Sequence, residues 1–478
     1  MSGETDLSEE TRPDVAPADA IAEDLEDLAL DEDYALTSEF VDMVIDAADR
    51  GDGARLAELV GALHPADVAD LMGFLTADYR EEIVPHIPPE ALAEILAELE
   101  TNIREEVLEI VAPATLAKAL EELDSDDAAD VVDDLDEAKR RSVLAAMPAH
   151  ERTAIEASLA YEDETAGRLM QREVALAPQF WTVGQAMDHL SRESEALPEL
   201  FFDLYVVDPA MRPVGAAPVS HLLRARRETP LTEIMEPVTE IPVDMDQEEV
   251  AYIFDKYHLI SAPVVEPGGR LVGQITVDDI VGVIQEESEE DMLALANVSD
   301  AGRDATVFGI IRSRIAWLVL NIFTEAVAVS AIAIFSNEVA KVVALAVLMP
   351  IVSSVGGNAG TQTLAVAVRA LAARELNAAN AARIFWREMG AGLTNGLVCA
   401  VVMGVAVTLF YHDWKLALTA GLALVANIFT AAAAGILAPL LLERMGRDPA
   451  VSSSIIVTFL TDLMGFFAVL AIAALILM

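Results

Sequence analysis

Asp462 stands in the apolar run Ser453–Met478, nine residues beyond Ser453. In a helix rising about 1.5 Å per residue it lies roughly 14 Å deep. A carboxylate inside a bilayer is costly unless it holds a cation or a proton. No Lys or Arg falls in the core of any apolar run to pair with it. Thr458 and Ser454 precede it by four and eight residues, so all three share one helical face. A second polar feature is Gly356-Gly357-Asn358-Ala359-Gly360-Thr361-Gln362, with Pro350 upstream. Small residues let helices approach closely. Pro and clustered Gly also loosen a helix, so that carbonyls can face a water-filled path. Packing alone accounts for the glycines but not for Asn358 and Gln362, one turn apart. Asn358 is eleven residues from Arg369, a depth comparable to that of Asp462, so the two features can meet near the middle of the bilayer. Glu325 is a third carboxylate in an apolar run, beside Asn321 and Thr324. It can line a pore, bond across helices or carry a proton. Asn427 and Thr430 are expected to bond between helices.

Five segments are long and apolar enough to span a bilayer: about 313–336, 339–368, 387–411, 414–441 and 453–477. Eight arginines (312, 314, 369, 374, 383, 387, 444 and 447) fall on the side shared with the rest of the chain, and only Lys341 and Lys415 on the other. By the positive-inside rule the preceding half is cytosolic and the C-terminus outside.

That preceding half has a different character. The 478 residues carry a formal net charge of −50 although 54% are hydrophobic. Residues 1–311 hold 72 acidic and 20 basic side chains, against 8 and 10 in 312–478. A nucleic-acid binder would need the opposite sign. One cysteine, Cys399, excludes a disulfide scaffold and a Cys-based zinc site. The start MSGETDLSEE has neither the basic nor the apolar region of a cleaved signal peptide. Only 5 of the 30 basic residues are Lys. Dense carboxylates with few lysines suit concentrated salt, which screens their repulsion.

Residues 1–35 read as an acidic disordered tail and 36–160 as short amphipathic helices in a repeat. Leu63–Leu71, Ile87–Ile95 and Val111–Ala119 match at a period of 24 residues, each with Pro at the helix start. Such units stack into a superhelical α-domain. His64 and His86 fall at helix junctions, in capping or packing roles. Two copies of strand, turn, strand and short helix follow, in 161–229 and 230–286. Val206–Gly215 matches Val264–Gly273 at an offset of 58. This resembles a tandem pair of CBS domains, and the second copy is the better match. In that family a Thr/Ser-x-x-Asp motif often holds the ribose of an adenine nucleotide such as ATP; Thr276 and Asp279 fit it. A helix N-terminal role for Asp279 is the alternative. Residues 287–311 read as an acidic linker and amphipathic connecting helix, and 312–478 as the membrane domain.

The order of parts, GGNAGTQ and the closing VTFLTDLMGF together resemble the MgtE family of magnesium transporters and channels over about 37–478. The resemblance implies a multidomain membrane protein: a cytosolic α-superhelical domain, an α/β CBS pair, a connecting (plug) helix and a five-helix transmembrane bundle. It implies a homodimer in the plasma membrane, with paired Asp462 side chains holding hydrated Mg²⁺ on the axis. Thr458 and Ser454 would read the hydration shell, although Ser454 stands where the family's best-known pattern has Asn. The resemblance also implies a gate, closed when cytosolic Mg²⁺ bridges acids of the helical domain, the CBS pair and the connecting helix. Glu287, Glu290 and Asp291 match the connecting-helix positions, whereas His258 replaces an expected acid. Mg²⁺ dehydrates reluctantly and is held by one or two carboxylates plus retained water, which suits such a pore. Two alternatives are a proton-coupled transporter of another divalent cation (Co²⁺, Mn²⁺ or Zn²⁺) and a nucleotide-regulated membrane sensor without flux. An enzyme is not expected, since no nucleophile–base pair or phosphate loop is visible.

Overall fold

The computed structural model describes Leu25 and residues 28–192, 197–198, 200–296, 298, 307–335, 342–376 and 379–477. They divide into two units, Met1–Val281 and Gly282–Met478. The first unit opens with short helices: α1 (Ser38–Asp49), α2 (Gly53–Val60), α3 (Pro65–Phe74), α4 (Ala77–Ile83), α5 (Pro89–Glu98), α6 (Thr101–Ile110), α7 (Pro113–Leu120), α8 (Ser125–Asp133), α9 (Glu137–Ala146) and α10 (Ala149–Ser158). Helices this short do not persist alone in water. They are held by stacking, α3 on α5 and α5 on α7. Leu71, Met72, Ile95, Leu96 and Leu116 are fully buried between them. Each such side chain stabilises by about 1.5–3 kcal/mol.

The three repeat prolines open α3, α5 and α7, as the 24-residue period requires. His64 caps α3, its Nδ1 accepting from the Ala66 N–H at 3.3 Å. The His86 ring fills the space that a Cβ at Gly53 would need. Part of the expected tail behaves differently. Leu25 and Ala29 are buried in the helical core, and Leu30 bridges to Leu36. Most of the remaining tail lies outside the described residues. The apolar pair four residues apart explains why Leu25 and residues 28–35 join the fold.

The next elements are α11 (Ala166–Leu169), β1 (Leu176–Pro178), α12 (Val183–Leu190), β2 (Asp203–Val207), β3 (Pro213–Pro218) and α13 (Val219–Arg224). A second set follows: β4 (Ile241–Pro242), α14 (Gln247–Tyr257), β5 (Ser261–Val265), β6 (Leu271–Thr276) and α15 (Val277–Leu295). Each set forms a three-stranded sheet with one parallel and one antiparallel pairing. Both sheets shift register at the matching valine pairs, 206/207 and 264/265. The Tyr205 hydroxyl donates to Ser261 Oγ, which donates to Asp203, joining the sheets.

α15 departs from expectation. A short helix was expected to close the second copy by residue 286, with a separate connecting helix in 287–311; one unbroken helix instead runs to Leu295. Residues 285–295 (QEESEEDMLAL) contain no Pro or Gly and are good helix formers, so nothing stops it. Residues 297 and 299–306 lie outside the described residues.

The second unit contains α16 (Val307–Ile334), α17 (Ala344–Ala372), α18 (Ala381–Tyr411), α19 (Trp414–Arg444) and α20 (Ser453–Ile476). All five are long and apolar enough to cross a membrane. α19 is central, packing on α17, α18 and α20, while α16 lies against α20. Pro350 and Pro439 sit inside helices that continue through them.

Candidate ion pathway and acidic clusters

Asp462 lies mid-way along α20 and is half-buried, as are Ser454 and Thr458 on the same face. Ser453 and Thr461 are instead fully buried. Two side chains from other helices reach Asp462. Ser353 of α17 donates its hydroxyl to Oδ1. The Glu325 carboxyl of α16 also hydrogen-bonds with Asp462. Two carboxyls in contact repel when both are ionised, and the repulsion grows as water is excluded. A cation placed against them removes that repulsion.

The glycine run does not unwind. α17 is continuous from Ala344 to Ala372, so the expectation of loosened carbonyls at Gly356–Gly360 is corrected. Backbone hydrogen bonding within the helix satisfies these groups at no cost in apolar surroundings. The glycines are contact points. A Cβ at Gly356 would fall 2.0 Å from Asn427 Nδ2, and one at Gly360 would fall 2.5 Å from Val457 Cγ1. Across the same seam, a Cβ at Gly465 would meet Ser353 Cα at 2.9 Å. That closeness brings Ser353 to Asp462. A Cβ at Gly357 would meet only Thr461 Oγ1, at an ordinary 3.8 Å. Asn358 and Gln362 project from the exposed side of α17. Asn427, fully buried, donates from Nδ2 to the Val352 carbonyl at 2.9 Å, an interhelical bond as expected. Thr430 does not follow that expectation, because its hydroxyl bonds to the Ala426 carbonyl of its own helix.

At the end of α15, Asp291 faces Asp448 and Glu287. Burial first, and then these two carboxylates, push its pKa up to about 6. Glu290 on the same helix is exposed. Just beyond, Ala294 and Leu295 pack on Leu364, Val368, Ala434, Ala438 and Val457. The acidic end of α15 is thus seated on the ends of α17, α19 and α20.

The first unit holds a second cluster that the sequence concealed among many carboxylates. Asp124, Asp126 and Asp127 at the start of α8 lie near Asp279 of α15. Burial, followed by repulsion from Asp279, raises the pKa of both Asp126 and Asp127. Burial likewise raises Asp279. Asp126 Oδ1 is buried without a hydrogen-bond partner. Asp279 accepts from Thr276 Oγ1 at 2.8 Å, so its carboxyl closes the first turn of its own helix. Arg168, 3.0 Å from Asp130 and 3.2 Å from Asp133, clamps the other end of α8. Among the described residues no three His, Cys, Asp or Glu side chains already enclose a point as a metal site.

Comparison with known proteins decides the family. The model for the divalent cation transporter MgtE matches residues 349–472, and that for the MgtE intracellular N domain matches 63–164. The CBS domain model matches 231–286. The magnesium transporter MgtE of Thermus thermophilus is 34% identical over 443 residues, covering 90% of this chain and 97% of that one. The chain belongs to the MgtE family. The magnesium transporter MgtE of Bacillus subtilis is 30% identical over 350 residues, covering 73% of this chain and 77% of its own. Among solved structures, the cytosolic domain of an MgtE Mg²⁺ channel in complex with ATP is 32% identical, with a TM-score of 0.48. It covers 51% of this chain and 99% of its own.

Within this MgtE chain the transporter match spans both Asn358 and Asp462. The CBS match covers only the second copy, the one with the clearer sequence signature. The first copy nonetheless has the same sheet, so its fold survived where its motif did not.

Proposed function

We propose that this MgtE-family chain carries Mg²⁺ across the membrane through the polar face of α20 centred on Asp462. The observation that carries this reading is Asp462 in mid-span, met by Ser353 and Glu325 and, among the described residues, by no cation. The half-buried face of Ser454, Thr458 and Asp462 is what a homodimeric pore would leave open in one chain. Two Asp462 carboxylates across an axis, with hydroxyls beside them, suit an ion that keeps most of its water. By the positive-inside rule, the arginines at one set of helix ends support a cytosolic acidic half and a C-terminus outside.

We further propose that cytosolic Mg²⁺ closes the path by neutralising the two acidic clusters. Mg²⁺ between Asp291, Glu287 and Asp448 would lock the α15 end onto the membrane helices. Mg²⁺ among Asp126, Asp127 and Asp279 would hold α8 to the start of α15. When the ion leaves, like charges separate both contacts. Asp279 is engaged with Thr276 and turned to the acids of α8, so a nucleotide at Thr276 and Asp279 is a secondary reading. The contact between Glu325 and Asp462 supports a second reading, proton-coupled transport of a divalent cation.

Mg²⁺ flux into liposomes, with Mg²⁺ varied on the side of the acidic half, tests these readings together. Flux that rises as that Mg²⁺ falls supports pore and gate. Flux that follows a proton gradient at fixed Mg²⁺ gradient supports coupling. An Asp462→Ala variant with unchanged flux would falsify the pore assignment.

A further inference from the structure

A cavity of about 750 Å³ opens where the end of α17 meets the start of α18. Arg369, Arg383 and Arg387 line it, with Val366, Ile384 and Ile436 among its apolar walls. Arg387 pairs with its neighbour Glu388 at 3.2 Å. Arg369 and Arg383 make no ion pair with any described residue, although the chain carries 80 acidic side chains. Glu375 also lines the cavity, so guanidinium groups outnumber carboxylates three to two. Arg383 and Arg387 are one turn apart on α18, and Trp386 between them is 70% exposed. An exposed Trp at a helix end marks the level of the headgroups, where its ring is half apolar and half wet. The cavity therefore sits where acyl chains give way to phosphates. Its lining is part apolar and part cationic. A planar guanidinium grips phosphate oxygens in pairs, which an ammonium does not.

We propose that this cavity binds the phosphate headgroup of an anionic phospholipid from the leaflet facing the acidic half. The membrane half carries only 10 basic side chains against 8 acidic ones, so attraction for anionic lipid must be local. These arginines supply it, and the apolar walls receive the upper acyl chain. The site holds a lipid against α17, the helix that carries Ser353.

Native mass spectrometry of the full-length detergent-solubilised protein tests this. The titrants are phosphatidylglycerol and phosphatidylcholine with the same acyl chains. Phosphatidylglycerol should remain bound and phosphatidylcholine should not. Retention should fall at least tenfold in the Arg369→Gln/Arg383→Gln double variant and hold in Arg444→Gln, a basic residue outside the cavity. Arg369→Lys/Arg383→Lys, which keeps the charge and the fold, should lose part of the retention. Equal retention of phosphatidylglycerol in wild type and double variant overturns the proposal. So does equal retention of both lipids, which would make the cavity a plain apolar groove. Displacement of the lipid by millimolar inorganic phosphate would reassign the site to free phosphate. A double variant that frees the acidic half for proteolysis while keeping its lipid would assign the arginines to that half. None of these outcomes bears on Asp462.

Discussion

Asp462 could be read directly from the sequence because it is the carboxylate in the last apolar run. Its partners could not. Ser353 lies 109 residues away and Glu325 farther still, and no local periodicity joins them. Removing the carboxylate with Asp462→Ala should cut Mg²⁺ uptake in transport-deficient cells more than tenfold. Ser353→Ala removes a hydroxyl donated to a charge, an interaction typically of about 1.5–3 kcal/mol. It should weaken the concentration dependence of uptake roughly tenfold without affecting expression. Glu325→Gln separates the two functional readings. A pore keeps most of its flux, whereas a proton-coupled carrier loses its response to a pH gradient. The acids at the start of α8 were hidden for another reason: in a half with 72 carboxylates, only burial distinguishes Asp126 from its neighbours.

At the level of elements, periodicity served well. The proline-headed repeat, the duplicated strand pairs and the five spans all follow from spacing and apolar length. The glycine motif misled because Gly permits both an unwound backbone and a close contact, and only the neighbouring helices decide between them. Here Asn427 and Val457 occupy the space. Gly356→Leu should therefore separate α17 from α19 and destabilise the membrane unit by at least about 1–3 kcal/mol, as overpacking does. Thermal unfolding in detergent would show it, and Gly357→Ala at the looser position should change little. The α15 contact should respond to pH. The Asp291 pKa is raised in the packed state, so protonation favours packing. Packing support is complete below the ordinary carboxylate pKa near 4 and is lost as pH rises through about 6. In chelator, hydrogen exchange over 287–295 should quicken across that interval, and Mg²⁺ should suppress the change.

For the molecule as a whole, the acidic half and the nearly neutral membrane half face different solvents. Carboxylate repulsion is the proposed opening force, and salt screens it, with a Debye length of about 8 Å near 0.15 M and about 3 Å at 1 M. The exposed part of that force should therefore fade in concentrated salt, while the buried part at Asp126 persists. Flux in chelator should fall modestly between those salt levels. An Asp126→Asn variant should lose Mg²⁺ sensitivity at both.

The unbroken course of α15 has a mechanical consequence. One helix begins beside the acids of α8 and ends beside Asp448, so its two ends are phased like marks on a single shaft. Each residue advances the helix by about 100°. Inserting one alanine after Gln285 would turn Asp291 by about 100° about the helix axis relative to Asp279. Inserting four would return it to within about 40°, one turn farther along. Sensitivity to Mg²⁺ should thus vary with the length of the insert in a helical rhythm, low at one or two residues and recovering partly at three or four. A flexible tether would instead show a smooth decline.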